Sequence, residues 1–248
     1  MNLKSVFSLM TLLAMTPLLL FNTHAQSQSD SFNTSEGNLE IVHIGHASLY
    51  FTFLDKTIHV DPFGDMGDYE KMPKADLILI THAHGDHLDP ETIEMISKED
   101  TRLVLNEESF ESLNKGQVLK NGEETNVLGL KIKAVPAYNI KHKRGNGEPY
   151  HPKHRDNGYV IDFADKRVYV AGDTENIPEM KELNDIDIAF LPMNVPYTMT
   201  PEMCKEAALM FKPGVLFPYH YSMGETNTDK FADLMQEVPE IEVRFRHE

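Results

Sequence analysis

The sequence predicts a single domain of mixed α/β class, and three observations carry that prediction. Its 248 residues suit one sizeable hydrophobic core and require no second. From Leu39 onward, short apolar, β-rich segments recur. Between some of them lie stretches of helical period that open with a capping residue or a proline.

Taken in order, residues 1–25 place Lys4 before an apolar run from Val6 to Phe21 and end at Thr23-His24-Ala25, the layout of a secretory signal peptide. The run is interrupted by Ser8, Thr11, Thr16 and Pro17. It is shorter than the ~20 apolar residues of a spanning helix, which argues against a stable membrane anchor. The absence of cysteine there argues against a lipoprotein. The expectation is an exported protein, periplasmic or secreted, cleaved after Ala25. Residues 26–37 are polar and Ser/Asn-rich and read as a disordered lead-in, leaving 38–248 as the folded domain.

Within that domain, strands are expected over 40–44, 48–53, 57–60, 77–80, 102–105, 131–135, 159–163, 167–170, 186–191, 215–218 and 241–245. Helices are expected near 90–97, 107–114, 178–183, 201–211 and 228–236. Asp89 with Pro90, and Thr200 with Pro201, supply cap and first-turn proline for two of them.

The formal charge is −16, which argues against nucleic acid or an anionic membrane as the main partner. One cysteine, Cys204, excludes an intramolecular disulfide. It shares the 201–211 helix with Met203, Ala207 and Met210 at helical spacing and reads as a packing residue.

Chemistry concentrates in Thr81-His82-Ala83-His84-Gly85-Asp86-His87-Leu88-Asp89, directly after the apolar run Leu77-Ile78-Leu79-Ile80. Imidazole nitrogen and carboxylate oxygen are ligands for zinc and other borderline divalent metals. At alternate positions His82 and His84 can grip one ion, while Asp86 and His87, past the turn at Gly85, face a second. A plain strand-to-helix turn accounts for Asp89 and Pro90 but has no use for three histidines.

His-x-His-x-Asp-His after a buried strand resembles the signature of the metallo-β-lactamase superfamily. The resemblance extends through Gly45-His46, Asp61-Pro62-Phe63, Ala137-Tyr138-Asn139, Ala171-Gly172-Asp173-Thr174 and Pro218-Tyr219-His220-Tyr221. It covers roughly residues 38–248, in the order of a branch of small hydrolases similar to ascorbate-phosphate lactonases. It implies a four-layer αβ/βα sandwich, and it implies two metal ions, zinc first and manganese or iron as alternatives. Asp173 would then bridge the ions and His220 would complete the second with Asp86 and His87. For the first ion, the histidine that many members place after the strand is replaced by Tyr138-Asn139. His142, His151 and His154 are the candidates for its third ligand, with His151-Pro152 closest to the pattern of relatives. Asp61 is expected to orient a ligand histidine. His46, Tyr138, Tyr197 and Tyr221 are candidates to stabilise an oxyanion or protonate a leaving group.

A water between two such ions would lose its proton near neutral pH and attack a carbonyl or phosphoryl centre, with Asp86 also able to take a proton. Asp173 argues against antibiotic hydrolysis, because antibiotic-hydrolysing relatives typically lack aspartate there. His84 argues against the diiron oxygen-reducing branch, which carries glutamate at that position. Ester or lactone hydrolysis of a small molecule is the expectation. The alternatives are a phosphodiesterase similar to phospholipase D acting on N-acyl lipids, or an exported metal-binding protein without turnover. The basic loop Lys141-His142-Lys143-Arg144 to Lys153-His154-Arg155 suggests an anionic substrate. Oligomeric state is left open.

Overall fold

A computed structural model describes residues 28–221 and 226–246, so the expected signal peptide lies outside the described residues. The chain builds two seven-stranded mixed sheets. The first runs in sequence order through β1 (Gln28–Asn33), β2 (Asn38–Gly45), β3 (Ser48–Phe53), β4 (Lys56–Val60), β5 (Leu77–Ile80), β6 (Arg102–Leu105) and β7 (Gln117–Val118). The second holds β8 (Glu124–Val127), β9 (Leu130–Ala137), β10 (Asp156–Phe163), β11 (Lys166–Val170), β12 (Ile188–Pro192), β13 (Val215–Tyr219) and β14 (Glu242–Val243). In each sheet antiparallel hairpins give way to parallel pairs, from β4 to β7 and from β11 to β14.

The period-2 alternation of the apolar strands sets the layers. Leu77 and Leu79 of β5 face the inter-sheet core with Phe51, Ile58, Tyr159 and Phe190. Ile78 and Ile80 point the other way, under helix α1 (Pro90–Ile96) with Ile93 and Ile96 and beside helix α2 (Glu107–Leu113). In the second sheet Val215 and Phe217 face inward, while Leu216 and Ala189 face helix α3 (Pro201–Phe211) and helix α4 (Thr228–Met235). The result is the four-layer αβ/βα sandwich. The Asp89 carboxylate accepts from the Glu91 and Thr92 amides, and Thr200 Oγ1 from the Met203 amide, so both expected caps form. Cys204 is fully buried in α3, and burial pushes its thiol up, away from reactivity.

Two expectations change. Residues 178–183 close into a 3-10 turn, Pro178–Glu182, rather than an α-helix. The lead-in at 26–37 is not disordered throughout, because Gln28–Asn33 pairs antiparallel with His43–Asn38 as β1. Beyond β2, two further partners come from the far end of the chain. The buried Asp30 carboxylate receives His43, Arg244 and Arg246, and Phe32 packs against the core beneath Arg244. Polar composition alone cannot disclose such pairing.

Candidate metal centre

Strand ends deliver the expected ligands to one edge of the sandwich. β5 leads into His82, β11 into Asp173 and β13 into His220. The His87 and Leu88 amides both donate to the His84 carbonyl, coiling the loop so that its imidazoles divide between two groups. Gly172 is needed for this approach. Its φ is +64°, and a Cβ there would lie 2.6 Å from the Asn157 carbonyl oxygen.

The first group is His82, His84 and His151. His82 Nε2 stands 3.0 Å from His84 Nδ1, and His151 Nε2 stands 3.2 Å from the same atom. The second group is Asp86, His87 and His220, with His46 beside them. His220 Nε2 is 3.1 Å from His87 Nε2 and 3.6 Å from Asp86 Oδ2. Asp173 lies between the groups, Oδ2 at 3.3 Å from His151 Nε2 and Oδ1 at 3.3 Å from His220 Nε2.

Polar partners set the tautomers of these rings. His87 Nδ1–H donates to Asp61 Oδ2 at 2.8 Å, which turns Nε2 toward His220. His151 Nδ1–H donates to Asn139 Oδ1 at 2.8 Å. The Thr81 hydroxyl donates to Asp61 Oδ2 at 2.7 Å and lies 3.0 Å from His82 Nδ1, placed to accept its proton. Asp61 therefore orients the ligand histidines as expected, one directly and one through Thr81.

Charge distinguishes the two groups. Burial, with the neighbouring imidazoles, drives His82 well below its ordinary value. Burial likewise brings His151 down to about 4, outweighing Asp173. These rings are neutral and hold free lone pairs. Burial also works to lower His87, yet Asp173, Asp61 and Asp86 overcome it and raise that ring to about 9. His220 rises for the same reason, through Asp173 and Asp86 against burial. In the second group the surrounding carboxylates favour positive charge on the rings, the charge that a bound cation would supply.

The donor set fits metal. Asp173 Oδ1 is fully buried and makes no hydrogen bond among the described residues; only the ring nitrogens of His220 at 3.3 Å and His87 at 3.5 Å stand near it, a setting that calls for positive charge, from those rings or from a cation they would share. Ring nitrogens whose other nitrogen is already bonded converge on the same space.

The structure brings all seven expected ligands together and chooses among the histidine candidates: His151 joins His82 and His84, His142 turns to Glu175 at 2.8 Å, and His154 is exposed. It does not bring Tyr138 or Tyr221 to the cleft as expected catalytic groups. The Tyr138 hydroxyl donates to Glu179 Oε2 at 2.9 Å, and the Tyr221 hydroxyl donates to the Arg246 carbonyl. A cleft of about 410 Å³ over the ligands is lined instead by His46, Arg144, Tyr150, Asn194 and Tyr197. His46 donates toward Asp86 Oδ2 at 2.9 Å and packs against His220, with ring centres 3.8 Å apart and the planes tilted by 42°.

Glu175 escaped the sequence reading. Fully buried, it accepts from the amides of Ile140, Lys141 and His142 and from Asn139 Nδ2. Asn139 in turn fixes His151. Donors that are backbone amides of a distant loop leave no trace in a local motif.

A profile described as the Beta-lactamase superfamily domain matches residues 40–220. The chain belongs to the metallo-β-lactamase superfamily. Among solved structures, a chain from Parabacteroides distasonis with a metal-dependent hydrolase designation is 51% identical with a TM-score of 0.84, covering 89% of this chain and 99% of its own. A relative from Thermococcus onnurineus named UPF0173 metal-dependent hydrolase is 34% identical over 196 residues, 72% of this chain and 83% of its own. One of the same name from Methanopyrus kandleri is 30% identical over 224 residues, 82% of this chain and 93% of its own. Within the superfamily this protein is a metal-dependent hydrolase.

Proposed function

We propose that the protein is an exported hydrolase that cleaves an ester or lactone bond of a small anionic substrate at a centre of two divalent cations. The observation that carries this reading is Asp173, whose two oxygens each face a different cluster of imidazoles. His82, His84 and His151 would hold one ion, and Asp86, His87 and His220 the other, with Asp173 shared. Imidazole-rich donors favour zinc, and manganese or iron suit the same set.

Two such ions supply electrophilic polarisation of a carbonyl and a nucleophile drawn from water at neutral pH. The chain's own residues do the rest. Asp61 and Asn139 hold His87 and His151 in orientation. Asp86, the most exposed of the ligand carboxylates and bonded to His46, is placed to accept a proton and pass it to the leaving group. His46 and Tyr197 are among the side chains of the cleft wall that could donate to a developing oxyanion, His46 on giving up its bond to Asp86. Export rests on the charge and hydropathy layout of residues 1–25.

The deciding experiment measures metal per chain for residues 26–248 beside Asp173→Ala, together with chelator-sensitive hydrolysis of an aryl ester and a bis-aryl phosphodiester. About two equivalents in the parent, a marked loss in the variant and ester turnover are expected. One equivalent that the variant leaves unchanged removes the shared-ligand centre. Turnover of the diester alone would move the reaction to phosphorus.

A further inference from the structure

The basic loop resolves into side chains with different fates. Lys153 is neutralised by Glu179 at 2.7 Å, and Arg155 by Asp156 at 2.8 Å and Glu108 at 3.2 Å. Arg144 has no carboxylate within ion-pair range among the described residues, yet it lines the cleft with His84, His151 and Asp173. Arg144 is exposed at this cleft, and a cation without a carboxylate partner there, in a chain of charge −16, is available to an anion that enters.

Its surroundings hold it in place. The Arg144 amide donates to the Glu148 carbonyl at 2.7 Å and the Gly147 amide to the Arg144 carbonyl at 2.9 Å, closing a tight turn at the cleft mouth. The guanidinium lies over the Tyr150 ring, 5.2 Å from its centre, and an Nη donates to the Tyr150 carbonyl at 3.4 Å. Tyr150 directly precedes His151 in the chain, and Arg144 shares the cleft lining with His84 and His151. Tyr197 meets Tyr150 edge-on at 5.0 Å, and its carbonyl accepts from Asn139, the residue that fixes His151. Tyr197 is 45% exposed, with Val195 at 50% and Ile140 at 47%.

We propose that Arg144, Tyr150 and Tyr197 form a specificity subsite that grips a carboxylate or phosphate on the part of the substrate remote from the scissile bond. The guanidinium offers a fork of N–H donors to such an oxyanion, and the exposed tyrosine takes the apolar spacer. The substrate class is then an ester or lactone of an acid that carries a second anionic group. This rests on the hydrolase reading above, and the tests separate the two.

With metal-loaded protein, hydrolysis of 4-nitrophenyl butyrate and of the 4-nitrophenyl hemiester of glutarate would be compared in the parent, Arg144→Gln and Arg144→Lys. The ratio of kcat/KM for the anionic over the neutral ester should fall about tenfold in Arg144→Gln, mainly through KM, and less in Arg144→Lys, which keeps the charge and loses the fork. Equal changes for both esters would overturn the subsite. Calorimetric binding of butyrate, glutarate and 3-phosphonopropionate needs no turnover. Either dianion should outbind butyrate in the parent and lose that advantage in Arg144→Gln, and the larger gain identifies the preferred oxyanion. Discrimination in binding without any ester hydrolysis keeps the subsite and removes the hydrolase reading. Hydrolysis without discrimination does the reverse.

Discussion

The Asn139 side chain makes two bonds to His151, accepting from its amide and its ring, and Glu175 holds Asn139 while binding three successive loop amides. Glu175 is a positioning residue for the first group. Glu175→Gln keeps the shape but turns one acceptor oxygen into a donor facing amide protons. Affinity for the metal at the first group should fall roughly tenfold, read by competition with a chromogenic chelator, while the fold persists by circular dichroism. Unchanged affinity would mean that Asn139 and His151 are held without it. The second group makes a pH prediction. His87, raised to about 9 by its three carboxylates against burial, carries a proton in metal-free protein at neutral pH, and a cation must displace it. Affinity at this group should therefore rise as pH increases toward 9 and fall as it decreases. Calorimetry at pH 7.5 in two buffers of different ionisation enthalpy should show proton release, and its absence would contradict the assignment. Six of the seven expected ligand positions were legible because they follow apolar strands, His82 to His87 after β5, Asp173 after β11 and His220 after β13. The directions of Tyr138 and Tyr221 were not, because Glu179 and the Arg246 carbonyl decide where those hydroxyls point.

At the scale of elements, strands 48–53, 77–80 and 102–105 and helix 201–211 form with the bounds that patterning predicts. Their signals are local: period-2 or period-3.6 apolar spacing with caps. β1 shows the opposite case. It has one partly buried aromatic, Phe32, and is held by an ion-pair cluster drawn from the other end of the chain. Asp30→Asn leaves Arg244 and Arg246 without their shared carboxylate and should cost about 2 kcal/mol by denaturant unfolding, below the full value for a buried pair because both guanidiniums keep some solvent. Burial works to raise the Asp30 carboxyl, but His43, Arg246 and Arg244 hold it well below the usual range. Its contribution is therefore complete above the unfolded value of about 4 and is lost as pH falls through the lower native one. The variant and parent should converge in stability in acid. A constant gap down to pH 2 would show that packing, not charge, holds β1.

For the molecule as a whole, the centre joins the two sheets. His82, His84, Asp86 and His87 follow β5 of the first, while Asp173 and His220 follow β11 and β13 of the second. A cation bound there links the halves and stabilises only the folded state. At free metal about 100-fold above Kd this linkage is worth roughly 2.7 kcal/mol, so chelation should lower Tm by about 5–10 °C, measured by scanning calorimetry with and without chelator. A Tm indifferent to chelator would mean that the folded protein holds no cation under these conditions. Tyr159 of β10, whose hydroxyl donates to the Ile80 carbonyl at 2.7 Å, is a second link at the same edge.

What the sequence determined by itself is the superfamily, the two-sheet architecture that goes with it and six of the seven expected ligands. Those ligands are set by chain geometry over a few residues: His82 to His87 share one turn, and Asp173 and His220 each sit just past an apolar run. Resemblance favoured His151, but tertiary structure decided that it, rather than His142 or His154, joins His82 and His84, that Glu175 and Asn139 hold it, that β1 is a strand, and that Arg144 lines the cleft with no carboxylate partner among the described residues. Each of those outcomes depends on a partner distant in sequence, such as Glu175 for the 140–142 amides or Arg246 for Asp30. A side chain's direction follows the groups that surround it in space, and only the folded chain brings those groups together.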